Sequence, residues 1–338
     1  MLPEIIYTVS VSNKDLVIKK SKLPGVIYIA GYGRSGSTIL DMLLGMHPTI
    51  FGAGEVTSIF DQWLQNGICS CKRSCKECVF WTEVIDCFHS ILPGVTLEEA
   101  SRITREVENV RNIWKLIFGL RTTQNKRYGN IWRAMMQALA EVSEAAIIVD
   151  SSKNTHPCAG RVIALSKLAQ LDVKVIHLIR DPRAVMWSAL RGSNKSLEAG
   201  KPARLWGGAY RTLLGWIAVN LNVHAMRISR GRTSVLTRYE DLMNNQIIEL
   251  KRIARTFNLD MQPLLASVKA GCQLEPSHGV SGNRLRRQGA QRLREDEGWK
   301  SNLPSFARLV AMLSWPLAIN YGYRVGSKPK QKPTLGPQ

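Results

Sequence analysis

The sequence has no run of about 18 uncharged apolar residues, the length a membrane-spanning helix needs, so no membrane span is expected. Its opening stretch, MLPEIIYTVSVSNKDLVIKKSK, lacks a long apolar core behind a basic start and does not read as a secretory leader. A cytoplasmic location is the default expectation. Acidic residues are scarce: 26 Asp and Glu stand against 46 Lys and Arg, a formal net charge of +20. That excess favours anionic partners: nucleic acid, a membrane surface or phosphorylated small molecules. The basic residues are spread along the chain, with no zinc-finger spacing, leucine zipper or internal repeat, so no nucleic acid partner is expected. Most of these charges read as a solvated basic surface.

Cysteine is also sparse, with 7 in 338 residues, yet five of them crowd between Cys69 and Cys87. The stretch CSCKRSCKECVFW sets Cys69, Cys71, Cys75 and Cys78 in a C-x-C-x3-C-x2-C pattern. Such density suits zinc, but two well-separated C-x-x-C knuckles are missing. Zinc, disulfides and free thiols therefore all stay open. A catalytic thiol is not expected, since no histidine partner or helix start attaches to any one of them. Hydrophobic residues make up 45% of the chain, enough for a sizeable core without disulfides.

Short apolar runs alternate with helical patterns. Gly25–Ala30, Ala146–Asp150, Val173–Ile179 and Thr233–Tyr239 read as buried strands. Residues 37–46, 184–190 and 203–229 have helical spacing, as do 95–144 apart from a polar break near RTTQNKRYGN. This alternation implies an α/β fold of P-loop-like, three-layer form: a mostly parallel central sheet with helices on both faces. One domain is expected over residues 24–326, after an N-terminal extension (1–23). Residues 57–140 are expected to form a helical, cysteine-containing insertion. Residues 276–294 read as a loop and 327–338 as a disordered tail.

One more absence is informative. GYGRSGST (Gly31–Thr38) lies between the first strand and a helix and resembles a G-x-x-x-x-G-K-[ST] phosphate loop, but Ser37 stands where the lysine belongs. A cation appears instead at Arg34. Glycines let backbone N–H groups turn toward one anion, the helix start adds its dipole, and Ser35, Ser37 and Thr38 add hydroxyls. Without the lysine a nucleoside triphosphate is disfavoured, and a 5′-phosphate bearing one further anionic group fits better. A second station follows the strand 173–179: in RDPRAVMWS, Arg180 and Ser188 could grip another phosphate at the carboxyl end of a parallel strand.

GYGRSGST before a helix and IRDPRAVMWS after a later strand together resemble sulfotransferases that use 3′-phosphoadenosine-5′-phosphosulfate (PAPS), of bacterial type and more distantly the tyrosylprotein enzymes. The likeness runs from about residue 24 to 325 and includes HPTIFGAGEV, DSSKN, TRYEDL and SHGVSGNRLRR…REDEGWK. It implies that Arg34, Ser35, Gly36, Ser37 and Thr38 hold the 5′-phosphosulfate. It places the 3′-phosphate on Arg180 and Ser188, and makes Tyr239, Asn283 and Arg286 cofactor contacts. Arg284 and Arg287 leave the choice of arginine open. Sulfuryl transfer to a hydroxyl needs a base, cations on the moving group and stabilisation of the departing phosphate. Glu55 in GAGEV is the expected base, Arg34 a catalytic cation and Lys153 a second one. His47 and His89 read as turn and helix residues, and Trp299 as a packing residue. PAPS carries no β/γ-phosphates, so no metal is expected in the reaction. The acceptor is a hydroxyl on a small molecule, glycan, lipid or peptide. The competing classes are a P-loop nucleotide kinase or NTPase and a noncatalytic polyanion-binding protein.

Overall fold

The computed structural model describes residues 23–120, 122–153, 158–191, 205–275, 277–282, 284–287 and 295–324. Residues 1–22, Asn283 and 327–338 lie outside them. The chain is an α/β protein built on a five-stranded parallel sheet in the order β2-β3-β1-β4-β5. The strands are β1 (Gly25–Ala30), β2 (Ile50–Gly52), β3 (Ile147–Asp150), β4 (Val173–Ile179) and β5 (Ser234–Arg238). β1 is central, in parallel register with β3 (Val26 opposite Ile148) and β4 (Ile29 opposite Ile176).

Side chains of a strand alternate between faces, and β1 uses both. Val26, Tyr28 and Ala30 enter one core, while Ile27 and Ile29 enter the other. The first core is closed by α2 (Ile59–Leu64), α3 (Val79–Ile91), α4 (Leu97–Glu108), α5 (Ile113–Ile117), α6 (Thr123–Ser143) and α7 (Arg161–Lys167). The second is closed by α1 (Ser37–Leu44) and the helices Tyr239–Asn244, Gln246–Phe257 and Gln262–Lys269. Burial on both faces explains why the strands read as continuous apolar runs.

The chain divides into two compact units: Met1–Ile179 with Val219–Glu295, and Arg180–Ala218 with Asp296–Gln338. The first contains the sheet and both cores just described. The second contains α8 (Pro182–Leu190), the first half of α9 (Leu205–Arg230) and three short helices after residue 298. It has its own core of Met186, Leu190, Ala209, Leu213, Leu303, Ala307, Val310 and Ala311.

Two elements differ from the sequence reading. β2 was not expected; with three residues it is too short to show a period, and its pairing with β3 defines it. The polar stretch RTTQNKRYGN is mostly helix rather than a break. The Thr122 side chain accepts from the Asn125 N–H at 3.1 Å, starting α6 inside that stretch.

A fully buried ion cluster lies under the end of β3. The Arg161 guanidinium bonds Asp150 through Nε (2.6 Å), pairs with Glu108 through Nη1, and stacks on Trp132 with Cζ 3.8 Å from the ring centre. Tyr128 and Thr57 hydroxyls donate to Glu108, both at 2.7 Å. The Ser152 N–H donates to Asp150 at 2.9 Å. Removing one partner of such a cluster leaves uncompensated buried charge. Arg161→Ala should therefore lower stability by about 3–5 kcal/mol, as measured by chemical denaturation.

His177 on β4 is fully buried, with Nε2 3.0 Å from Asn220 Oδ1. Burial lowers its pKa to about 4, against its hydrogen bond to Asn220, which opposes the shift. The native state thus holds a neutral imidazole that the unfolded chain protonates below about 6.5. Its contribution is complete above that pH and is lost as pH falls toward 4, at up to about 1.4 kcal/mol per unit. Unfolding titrations of His177→Gln should show a flatter pH dependence than the parent across this window.

Candidate functional site

The site is assembled at the carboxyl ends of neighbouring parallel strands in the first unit. β1 delivers the loop Gly31–Gly36. Two positions there admit no side chain. A Cβ on Gly31 (φ 141°) would lie 2.3 Å from the Leu178 carbonyl oxygen, and one on Gly36 (φ 93°) would lie 2.4 Å from the Tyr239 ring. Arg34 also holds a left-handed backbone, φ 70°, which curls the loop at some conformational cost. No side chain caps the start of α1, whose first turn carries no acid. Ser37 and Thr38 are buried in that turn. The Ser35 hydroxyl is buried with no hydrogen-bond partner among the described residues. A buried polar group costs free energy unless it is paired, so this hydroxyl and the open helix start suit an anion.

β2 delivers Glu55 and β3 delivers Lys153. The Lys153 ammonium donates to Glu55 Oε1, linking the expected base and second cation in one ion pair. Both side chains are largely shielded, 27% and 15% exposed, so the pair is not a freely solvated one. Lys153 has φ 67°, and its carbonyl accepts the Tyr28 hydroxyl from β1. The Ser151 N–H donates to the Gly54 carbonyl at 2.8 Å, tying the two strand ends together.

A later segment closes over these ends. Val280 pairs with Gly54, and its carbonyl accepts the Glu55 N–H at 3.0 Å. Ser58 and Ser281 hydroxyls lie 2.8 Å apart. Arg286 is buried and paired with Asp41 of α1, which also accepts the Gly54 N–H at 3.2 Å. Arg286 Nε and Nη1 are buried without partners among the described residues. Arg287 is exposed. Tyr239 is buried with its ring against Gly36, so it shapes the loop from below. The sequence reading did not single out Asp41, although an acid amid Ile39, Leu40, Met42 and Leu43 was a visible signal.

In the second unit, Arg180 is buried and donates to the Asp296 carbonyl at 3.2 Å, with the Asp296 carboxylate 3.6 Å away. Asp181 caps α8 and pairs with Arg183 at 2.7 Å. Ser188 is half-buried on α8. Trp299 packs beneath the Arg183 guanidinium, 4.7 Å from ring centre to Cζ. In the first unit, His47 accepts the Thr49 N–H at 3.2 Å in the turn after β1's helix, and His89 lies on α3 beside Phe88.

The cysteine motif does not gather as four cysteines. Cys69, Cys71 and Cys78 converge with His278, their ligand atoms all within 4.8 Å of one another. Cys75 is buried in the same apolar core as Cys69 and Cys78 but is not among the converging ligand atoms. Among the described residues no helix is long and apolar enough to cross a membrane.

Comparison with known proteins adds the following. No curated protein matches the chain. The sulfotransferase domain of the Synechococcus PCC 7002 olefin synthase is similar at 19% identity and TM-score 0.48, over 90% of this chain and 97% of that one. The sulfotransferase domain of the curacin biosynthetic pathway is similar at 19% identity and TM-score 0.48, over 88% and 99%. Sulfotransferase STF1 from Mycobacterium tuberculosis H37Rv is similar at 15% identity and TM-score 0.42, over 79% and 77%. The model of the sulfotransferase domain matches residues 24–270, most of the chain, and this chain belongs to that family.

Proposed function

We propose that the protein transfers the sulfuryl group of PAPS to a hydroxyl acceptor and releases adenosine 3′,5′-bisphosphate. What supports this reading is an uncapped, lysine-free anion loop after β1 together with a Glu55–Lys153 pair at the ends of β2 and β3 of the same parallel sheet. A phosphate loop alone fits many nucleotides. A carboxylate held by a lysine on the adjacent strand ends adds the base that hydroxyl transfer needs.

In this reading the loop's N–H groups, the Ser35, Ser37 and Thr38 hydroxyls and Arg34 take the 5′-phosphosulfate. Arg180 and Ser188 take the 3′-phosphate. Glu55 accepts the acceptor's proton as its oxygen bonds to sulfur. The bond from sulfur to the bridging phosphate oxygen breaks, and Arg34 stabilises the charge left on that oxygen. Lys153 orients Glu55 and stands ready for the transferring sulfuryl oxygens. Arg286 with Asp41, and Tyr239 against Gly36, support the loop and α1; the unmatched Arg286 donors are available to a phosphate.

The deciding experiment is thermal melting with adenosine 3′,5′-bisphosphate in chelator. A ligand that binds only the folded state stabilises by about 2.7 kcal/mol at a hundred times its Kd, so a clear rise in Tm is expected. No rise, with a magnesium-dependent rise by ATP, would show a nucleotide kinase or NTPase instead. Glu55→Gln should cut kcat for bisphosphate release, assayed over a panel of hydroxyl acceptors, by about 10²–10⁴-fold, while keeping the melting shift. Arg34→Ala should lower turnover at saturating PAPS by about 10²–10³-fold; near-normal turnover would remove Arg34 from the chemistry.

A further inference from the structure

We propose that Cys69, Cys71, Cys78 and His278 form a structural zinc site that fastens the 277–282 segment over the end of β2. The four ligand atoms lie within 4.8 Å of one another. Cys69 Sγ and Cys78 Sγ are 3.7 Å apart, and His278 Nδ1 is 3.3 Å from Cys78 Sγ and 3.8 Å from Cys69 Sγ. Zinc takes tetrahedral sulfur and nitrogen ligands at about 2.3 Å and 2.0–2.1 Å, which sets tetrahedron edges of about 3.8 Å between sulfurs and about 3.6 Å from sulfur to nitrogen. The three separations among Cys69, Cys78 and His278 lie within a few tenths of an ångström of those edges, and the Cys71 sulfur lies within 4.8 Å of each. They are far from the about 2.05 Å of a disulfide. Three thiolates and one imidazole are also a soft donor set that selects zinc over magnesium or calcium.

The local backbone is built for convergence. The Cys69 N–H donates to the Arg73 carbonyl (2.9 Å) and the Lys72 N–H to the Cys69 carbonyl (3.0 Å), with Lys72 at φ 72°. This tight turn presents Cys69 and Cys71 together. Cys78 is the residue at the N-terminal boundary of α3, so the helix start fixes its position. The imidazole is fixed from two sides: Phe80 stacks on it at 5.0 Å, and Trp81 Nε1 donates to the His278 carbonyl at 2.6 Å. Such outer contacts orient a ligating ring. Lys72 and Arg73, next to Cys71 in sequence, offset the net negative charge that three thiolates would leave on the ion.

The sequence separation gives the site its structural role. Its ligands join a turn near residue 70 to a histidine about 200 residues later. The same junction is made by backbone: Cys69 bridges Val280, and the Ser70 N–H and hydroxyl both donate to the Gly279 carbonyl, at 3.2 and 2.8 Å. Val280 in turn holds the Glu55 N–H. The ion would therefore brace the carboxylate's backbone without touching reactants. The cysteine pattern left zinc, disulfides and free thiols open and set Cys75 beside the other three; in this site the fourth ligand is instead His278 from a distant loop.

The test starts from untagged protein purified under reducing conditions without added metal. Elemental analysis should find about one zinc per chain, as expected for a closed four-ligand site. Cobalt exchanged into the wild-type protein should give thiolate-to-cobalt charge-transfer bands and the intense visible bands of a tetrahedral ion. His278→Ala and Cys78→Ser should fall below a tenth of the wild-type metal content, while Cys75→Ala and Cys87→Ser retain it. Chelation should lower the Tm of the wild type and of Cys87→Ser, but not of His278→Ala. Metal-free wild-type protein that gives no thiolate–cobalt bands overturns the proposal even if every variant misfolds. Loss of the ion in Cys75→Ala with retention in His278→Ala overturns the ligand set. None of these readouts depends on PAPS or turnover.

Discussion

The arrangement depends on one permanently charged side chain in the interior. Arg161 is fully buried, and it holds Asp150 at the end of β3 and Glu108 at the end of α4. Isolated, each charge would carry a large desolvation penalty; together the charges are paired and hydroxyls meet the remaining carboxylate oxygens, while Arg161 Nη2 is buried without a partner among the described residues. Each satisfying group leads outward. Ser152, bonded to Asp150, precedes Lys153 and also accepts the Thr57 N–H at 3.1 Å. Thr57, bonded to Glu108, follows Glu55 by two residues. The guanidinium thus sets two strand ends against each other, and the Lys153–Glu55 pair rests on that contact. Replacing the cluster by apolar groups would keep the packing but lose the directional bonds that aim these two side chains.

Much of this was legible because the physics is local. β1 and β3 are buried on both faces and read as nearly unbroken apolar runs, and β4 and β5 remain rich in buried apolar residues. The loop was visible because its glycines and hydroxyls have fixed spacing next to a strand, and Glu55 because it follows the loop's helix. What stayed hidden depends on partners far along the chain. β2 is strand only because β3 lies beside it. The start of α6 depends on a single threonine cap, outvoted in the sequence by the polar residues after it. The pairing of Arg286 with Asp41 spans 245 positions, and that of His278 with the cysteines about 200. Neither carries a spacing signal.

The buried arginines fall into different settings. Arg161 is fully matched in charge by two carboxylates. Arg286 has one carboxylate, with two further donor atoms buried and unmatched among the described residues. Arg180, in the second unit, faces a carbonyl and a carboxylate of Asp296. Arg183, half-buried, and Arg191, exposed, spread their charge over Asp181, Asp296 and the faces of Trp299, Trp315 and Trp187. A net charge of +20 is thus not merely a solvated coat: part of it is carried inward on guanidinium groups, which are weakly hydrated and suited to planar oxyanion partners.

The space where Gly36 lacks a side chain is filled by the ring of Tyr239. The loop's curvature is therefore moulded by a residue about 200 positions further along the chain rather than carried by residues 31–38 alone. An octapeptide transplanted into another strand–helix junction would arrive without its mould, and the two positions can change size only in concert.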